Sequence, residues 1–223
     1  MKKILLTMML ALLCLVPTYA LPMRSLPATD LFNVHPCQLG DGTCPNWTEV
    51  GAASWQTDFT VPEAYADGTA VDDLVYWNVD SFNNDQYSQM TVHLNGVTSG
   101  YAGPAVRLDG SGNGYAFGCG TNSLYKFVSG TRSTLSTGYS VCADNDVVKL
   151  VVTGSTLQVF FNGVQNGTDQ TDSATASGHA GMWGYASPGT LVLDWTGGNV
   201  SGGGGPTFLP SLPNLILRGC CKK

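Results

Sequence analysis

The sequence predicts an all-β protein, and three observations support this fold class. Charged residues make up only 12% of the 223 residues, and glutamate, a good helix former, occurs only at Glu49 and Glu63. Gly, Ser, Thr, Asn and Val dominate instead, as expected for strands joined by many turns. Short β-type runs recur about every eight to twelve residues, and no stretch of about a dozen residues has a clean helical period. The pattern favours an antiparallel sandwich or barrel, and two stacked curved sheets would protect the strand edges.

The clearest strands form a pair, Asp146–Thr153 and Thr156–Phe161, joined by a turn at Gly154-Ser155. Apolar residues alternate along both strands, which predicts one buried face for each. Asn162-Gly163 predicts the next tight turn, because both residues tolerate positive φ. Seven further strands are predicted at Thr69–Val79, Tyr87–Leu94, Ala102–Leu108, Tyr115–Gly118, Leu124–Val128, His179–Tyr185 and Leu191–Trp195.

Residues 1–20 have the pattern of a secretory signal peptide. A short basic start precedes an uninterrupted apolar run, Ile4–Val16, and cleavage is expected after Ala20. That run is too short for a spanning helix, which needs about twenty apolar residues. We therefore expect a secreted, extracellular protein without a membrane span. The rest of the chain divides into a leader at 21–30, one domain at 31–200, and a Gly-rich linker with a short tail at 201–223.

The charge balance is acidic. Residues 30–200 contain four cations and all sixteen Asp and Glu residues, a net charge of −12. Such a domain would repel nucleic acid, because binding there depends on cations that neutralise phosphates. It would repel an anionic membrane surface for the same reason. Neutral ligands such as sugars, and divalent cations, remain compatible with it.

Export would place the cysteines in an oxidising compartment, where an even number favours disulfides. The mature chain keeps six, and their spacing predicts two bonds, Cys37–Cys44 across a small Gly/Asp-rich loop and Cys119–Cys142 between two strands. A zinc site is disfavoured, since no C-x-x-C motif occurs. Cys220 and Cys221 are adjacent in the tail, and the sequence leaves open a cross-link to another chain, a docked partner or a pair of reactive thiols.

A series of short motifs resembles the LamG-like branch of the concanavalin A-like lectin/glucanase superfamily, whose members occur in secreted bacterial and phage-associated proteins. The resemblance covers about residues 30–197 and rests on the order of the motifs: Asn46-Trp47-Thr48, Asp85-Gln86-Tyr87-Ser88, residues 102–107, Asn113-Gly114-Tyr115, residues 124–127, residues 146–150 and Phe161-Asn162-Gly163. It implies a jelly-roll sandwich of two antiparallel sheets, one of them concave. The superfamily contains lectins, adhesion modules, hydrolases and lyases, so the fold does not choose between binding and catalysis.

The catalytic patterns of such enzymes are largely missing from the sequence. Glycosidases of this fold carry an E-x-D-x-x-E strand that supplies paired carboxylates, and the chain has neither that pattern nor a G-x-S-x-G elbow. Asp72-Asp73 would point to opposite faces of a strand. One arrangement retains catalytic potential, since Gln89, His93 and Arg107 could share a sheet face as a lyase site. The alternative is a solvated or ligand-contacting polar face.

Sugar binding needs less, because aromatic faces stack on pyranose rings while a few polar groups fix the hydroxyls. Trp47, Phe117, Phe161 and Trp195 are assigned to the core. Six other aromatics, together with three polar residues, form the predicted ligand-binding set: Trp77, Tyr87, Tyr101, Tyr115, Trp183 and Tyr185, with Gln89, His93 and Arg107.

Structural calcium has two candidate positions. Residues 109–114 fit the first part of an oxygen-rich calcium loop that begins at Asp109, although a hairpin loop is the favoured interpretation and Gly120 excludes an EF-hand. The second position is implied by the resemblance, since many relatives hold calcium with an Asp on the last strand. Asp194 occupies that place, and Asp30 could contribute nearby.

These observations predict a secreted, non-catalytic carbohydrate-binding or adhesion module that uses the concave sheet face. The alternatives are a polysaccharide lyase or glycoside hydrolase with an atypical site, and a purely structural surface domain. No nucleic acid partner and no cofactor other than calcium are expected.

Overall fold

Two antiparallel sheets stack face to face in the computed structural model, which describes residues 26–32, 38–39, 44–51, 55–58, 63–66, 71–94, 101–185 and 191–200. Every regular element in these residues is a strand, and the strands are β1 (Ala28–Asp30), β2 (Gln38–Leu39), β3 (Trp47–Val50), β4 (Trp55–Asp58), β5 (Glu63–Ala66), β6 (Asp72–Trp77), β7 (Gln86–His93), β8 (Ala102–Leu108), β9 (Gly114–Gly118), β10 (Ser123–Val128), β11 (Thr131–Thr137), β12 (Val147–Thr153), β13 (Thr156–Phe161), β14 (Val164–Thr171), β15 (His179–Tyr185) and β16 (Leu191–Asn199). Within this part of the chain no helical segment has the length and apolarity that a bilayer crossing requires.

The nine-stranded sheet has the order β14-β13-β12-β7-β16-β5-β4-β2, with β1 also paired to β16. The seven-stranded sheet has the order β11-β10-β9-β8-β15-β6-β3. Consecutive strands such as β12 and β13 form hairpins, whereas β7 and β8 lie in different sheets. The predicted all-β, two-sheet antiparallel sandwich is confirmed.

All nine strands predicted from alternation are present, with ends shifted by a few residues. The turn at Asn162-Gly163 has positive φ at both positions (49° and 86°), as predicted. β11 and β14 were not predicted, because both are edge strands with mostly exposed polar residues and show no apolar alternation. β1 falls inside the predicted leader and pairs with β16, so the end of that segment belongs to the sheet.

The core between the sheets is rich in tryptophan. Trp47 and Trp77 come from paired positions of the seven-stranded sheet, and Trp195 comes from the nine-stranded sheet. Their ring centroids lie 4.7–5.6 Å apart, and all three side chains are buried. Phe117 is also buried, and Phe161 packs against this cluster, so the four predicted core aromatics are confirmed.

The predicted disulfide between Cys119 and Cys142 is present, with a Cα–Cα distance of 5.2 Å. It ties the segment after β9 to the segment before β12, and both cysteines are buried. The bond therefore links the two sheets through their connecting chain. The predicted Cys37–Cys44 bond, the signal peptide and the Cys220/Cys221 tail involve residues outside those described.

We expect the double variant Cys119→Ala/Cys142→Ala to be less stable by about 2–4 kcal/mol, because the bond closes a loop with a sequence separation of 23. Urea unfolding followed by tryptophan fluorescence measures this loss. An unchanged urea midpoint would show that the bond contributes nothing to the stability of the sandwich.

Candidate functional site

Aromatic and charged side chains gather on the outer face of the seven-stranded sheet. Trp183 and Tyr185 on β15 alternate with Met182, which belongs to the core, so their rings point away from the other sheet. We call this group the outer aromatic cluster, and its members are Tyr101, Tyr125, Trp183 and Tyr185 with the charged residues Arg132 and Asp72.

Gly118 on β9 makes room for two of these rings. A Cβ atom at Gly118 would lie 2.7 Å from the Trp183 ring and 3.1 Å from the Tyr125 ring. Real Cβ contacts essentially never fall below 3.0 Å. These two rings can therefore lie across the sheet only because Gly118 carries no side chain.

Arg132 lies over the cluster. Its guanidinium carbon is 4.5 Å from the centre of the Tyr185 ring, 5.0 Å from that of Tyr125 and 5.4 Å from that of Trp183. Such distances are typical of cation–π contacts. Arg132 Nη1 also donates to Asp72 Oδ1 at 2.8 Å. The cation is thus held by three rings and one carboxylate.

Asp72 completes the arrangement from β6, where it pairs with Tyr185. The same carboxylate oxygen accepts hydrogen bonds from Arg132 and from the Trp183 indole N–H at 2.9 Å. The side chains of Arg132 and Asp72 are 26% and 21% exposed to solvent. Both charges are therefore fixed in position and still reachable by a ligand.

Exposure separates the supporting rings from the accessible ones. Trp183 is fully buried and Tyr125 nearly so, whereas Tyr101 and Tyr185 are half-buried. The rings of Tyr101 and Tyr185 meet edge to face at a centroid distance of 5.9 Å. The prediction that Trp183 stacks on a ligand is wrong, since its ring is covered, and its role is to position Asp72.

Trp77 and Tyr115, which were predicted to contact a ligand, lie on the inner face and are 1% and 0% exposed. Trp77 donates its indole N–H to Asp80 at 2.7 Å, and the Tyr115 hydroxyl donates to Asp172 at 2.8 Å. These predictions are wrong, because the alternation of β6 and β9 turns both side chains into the core.

The predicted group of Gln89, His93 and Arg107 is not assembled. Gln89 and His93 lie on β7 in the nine-stranded sheet, whereas Arg107 lies on β8 in the other sheet. His93 Nδ1 is 2.5 Å from Glu63 Oε1, and Arg107 contacts backbone carbonyls. The lyase hypothesis that depended on a shared face is therefore wrong. Alternation along a strand shows which residues share a face, but it does not show which sheet the next strand joins.

Tyr87 and Gln89 occupy the outer face of the nine-stranded sheet, where both are mostly buried. The ammonium group of Lys149 lies 3.8 Å from the centre of the Tyr87 ring. Burial lowers the pKa of Lys149 from 10.5 to about 8. Tyr87 thus packs against a buried cation, and the prediction that its ring stacks on a ligand is wrong.

The two predicted calcium ligands Asp30 and Asp194 lie on opposite faces of their sheet, and calcium binding by either one stays a prediction. Asp30 pairs opposite Trp195 and accepts from the indole N–H of Trp47, so it points into the core. The side chain of Asp194 points to the other face of the sheet, where it accepts a hydrogen bond from the Thr91 hydroxyl at 2.9 Å. Burial raises the pKa of the Asp194 carboxyl.

The other candidate loop is closed by its own hydrogen bonds. Asp109 accepts from the backbone of Ser111 and Asn113 and from the Asn113 amide, which is the geometry of a hairpin loop. Among the described residues, no three His, Cys, Asp or Glu side chains are placed to hold a metal. Calcium binding by this loop stays a prediction.

The outer aromatic cluster combines aromatic rings with hydrogen-bond donors and acceptors. Half-buried tyrosine rings offer apolar faces, Arg132 offers donors, and Asp72 offers acceptors. Opposite charges in contact leave the group formally neutral. Sequence reasoning missed Arg132 and Asp72, although Arg132 is one of only four cations in residues 30–200, a scarcity that could have marked it.

Comparison with solved structures supports the β-sandwich fold. No family model matches the sequence, and no curated protein matches it. The carbohydrate binding module CBM66 from Bacillus subtilis is similar in structure, with a TM-score of 0.52 and 17% identity over 69% of this chain and 92% of the module.

Two other solved structures are similar at lower scores. A galectin-like protein of unknown function from Bacillus subtilis has a TM-score of 0.49 and 11% identity, and covers 78% of this chain and 98% of its own. The exoplasmic/lumenal domain of VIP36, bound to Ca²⁺ and Man3GlcNAc, has a TM-score of 0.48 and 10% identity, and the match covers 75% of this chain and 91% of that domain. The similarity to CBM66, at 17% identity, supports the fold alone, and the LamG branch stays a prediction.

The Gly118→Ala variant is expected to displace the Trp183 ring, because the added methyl group would overlap it. The expected result is a loss of about 1–3 kcal/mol in stability and a changed tryptophan fluorescence spectrum. Gly110→Ala is the matched control, since the nearest atom to its added Cβ is 3.9 Å away. Equal stability of the two variants would contradict the packing described for the cluster.

Lys149 makes stability depend on pH. Its pKa is about 8 in the folded protein and near 10.5 when unfolded, so the unfolded state binds more protons between these values. The free energy of unfolding is therefore expected to rise from pH 8 to about pH 10.5, by at most about 3 kcal/mol. Urea unfolding of the parent and of Lys149→Met across this range isolates the effect, and equal pH slopes would refute it.

Proposed function

We propose that this protein is an exported carbohydrate-binding module and that its outer aromatic cluster binds a neutral glycan. One observation carries the proposal: the half-buried rings of Tyr101 and Tyr185 lie beside a fixed pair of opposite charges on the outer face of a sheet. Stacking on the rings would supply affinity, and the charged pair would select the orientation of sugar hydroxyls.

The geometry matches the hydrogen-bonding pattern of a sugar. Two neighbouring hydroxyls can donate to Asp72 and accept from Arg132, and both groups are already held in place by Trp183 and the tyrosine rings. A preorganised pair loses little entropy when a ligand binds. The fold, which this chain shares with a carbohydrate-binding module, is compatible with such a role.

The charge of the domain favours a neutral ligand over an anionic one. Residues 30–200 carry a net charge of −12, and Arg132 is neutralised by Asp72. A sulfated or uronic acid polymer would meet a surface of its own sign. Export is supported by the signal-like residues 1–20 and by the disulfide Cys119–Cys142, since disulfides persist in oxidising compartments.

Affinity electrophoresis of the full mature chain through gels with neutral polysaccharides (arabinan, xylan, xyloglucan and mannan) tests the proposal. We expect at least one polymer to retard the protein and Tyr185→Ala to weaken binding about tenfold, the equivalent of about 1.4 kcal/mol. The loss is expected because the accessible ring and a support of Arg132 would both be removed.

Tyr65→Ala is the matched control. Tyr65 is a half-buried tyrosine on β5 in the nine-stranded sheet, where its hydroxyl contacts Gln56, so its loss should leave retardation unchanged. Retardation that is insensitive to Tyr185→Ala would place glycan binding elsewhere on the molecule. Failure of every polymer to retard the parent protein would refute a role in binding these neutral glycans.

A further inference from the structure

A pocket lies at one end of the sandwich, away from the outer aromatic cluster. It has a volume of about 830 Å³, within the usual range for small-molecule sites. Its wall comes from three loops and includes Asn83, Asp85, Arg107, Ser155, Ser173 and Thr175. Along β8, Arg107 is four residues from Gly103, which is paired with Trp183, or about 13 Å at the rise of a strand. The two features are therefore separate sites.

A β-bulge brings Arg107 to this end. The pairing of β15 with β8 shifts between His179↔Leu108 and Gly181↔Ala105, so β8 carries one extra residue. Arg107 has a φ of +54°, in the left-handed region that non-glycine residues rarely adopt. Bulges commonly redirect a side chain out of the sheet pattern. This one turns Arg107 away from both sheet faces and into the end pocket.

Arg107 holds the three loops in place. Its side chain is 3% exposed, and its nitrogens donate to the carbonyl oxygens of Asn84 at 2.9 Å, Thr175 at 2.9 Å and Gly154 at 2.7 Å. The Gly154 N–H in turn donates to Asp85 Oδ1 at 2.7 Å. The wall is thus fixed before any ligand arrives, which favours tight binding of a small molecule.

Thr175 supplies an unused hydrogen-bonding group in that wall. The residue is 6% exposed, and its Oγ1 has no hydrogen-bond partner among the described residues. Its backbone N–H and carbonyl are both satisfied, by Tyr115 and Arg107. An unsatisfied buried hydroxyl costs about 1–3 kcal/mol. Because that oxygen has less than 1 Å² of accessible surface, the pocket meets a ligand through its exposed polar side chains, Asn83, Asn84 and Ser173.

The lining indicates which ligand class would fit. Arg107 is near Asp85, at 3.9 Å, so the pocket is formally neutral and its carboxylate would repel an anion. The amide and hydroxyl side chains suit hydroxyl groups, while Phe82, Ala176 and Val200 add apolar surface. We propose that the end pocket binds a neutral sugar ring, such as the terminal residue of a glycan, independently of the outer aromatic cluster.

The test uses the full mature chain labelled with ¹⁵N and titrated separately with glucose, galactose, mannose, fructose, arabinose, xylose and inorganic phosphate. At least one sugar is expected to shift the backbone amides of residues 83–85, 154–155 and 173–176. Ser173→Trp, which fills the pocket from an exposed position, should weaken this binding at least tenfold. Ser140→Trp, an equally exposed position outside the pocket, is the control.

Three results would overturn the inference. Sugar-induced shifts confined to the surroundings of Tyr101 and Tyr185 would leave the proposed function intact and remove only the second site. Shifts with phosphate but with none of the sugars would show that the ligand class is wrong. No shift with any probe would refute the end pocket as a site for these molecules, and polysaccharide retardation would then decide the outer aromatic cluster separately.

Discussion

The sandwich depends on the burial of three tryptophans between its sheets. Trp47, Trp77 and Trp195 pack against one another, and each indole N–H needs a partner because an unpaired buried donor is costly. The indole N–H of Trp195 donates a hydrogen bond to the Ser88 hydroxyl. That hydroxyl donates in turn to the carbonyl of Gly181 in the opposite sheet, at 2.6 Å. The hydrophobic core and the hydrogen bond between the layers are thus parts of one arrangement.

This core also determines what remains outside. The side chain of Trp77 on β6 points inward. Asp72 is an odd number of residues earlier on the same strand, so its side chain lies on the outer face, where it is paired with Tyr185. β15 places Met182 inward, so Trp183 and Tyr185 face out. The outer aromatic cluster is therefore a consequence of strand period and core packing together. A one-residue shift in strand register would exchange the inward-facing and the outward-facing side chains.

Period-two alternation is the part of this structure that sequence reveals well. It identified the strands that have one buried face, including β15, which carries Trp183 and Tyr185. It missed β11 because an edge strand exposed on both sides needs no apolar residues, and Arg132 was lost with it. It also misplaced Arg107, since assignment to a sheet and the bulge both depend on tertiary pairing.

The four cations of residues 30–200 show how little positive charge this domain offers a ligand. Arg132 contacts Asp72, Lys126 contacts Asp172, Arg107 is held by carbonyl oxygens near Asp85, and Lys149 is buried over Tyr87. Each serves packing or an internal ion pair, and the sixteen carboxylates of the same range outnumber these cations fourfold. Recognition by attraction of an anion is therefore disfavoured throughout the described surface. What remains is stacking and neutral hydrogen bonding, the chemistry through which proteins bind uncharged sugars.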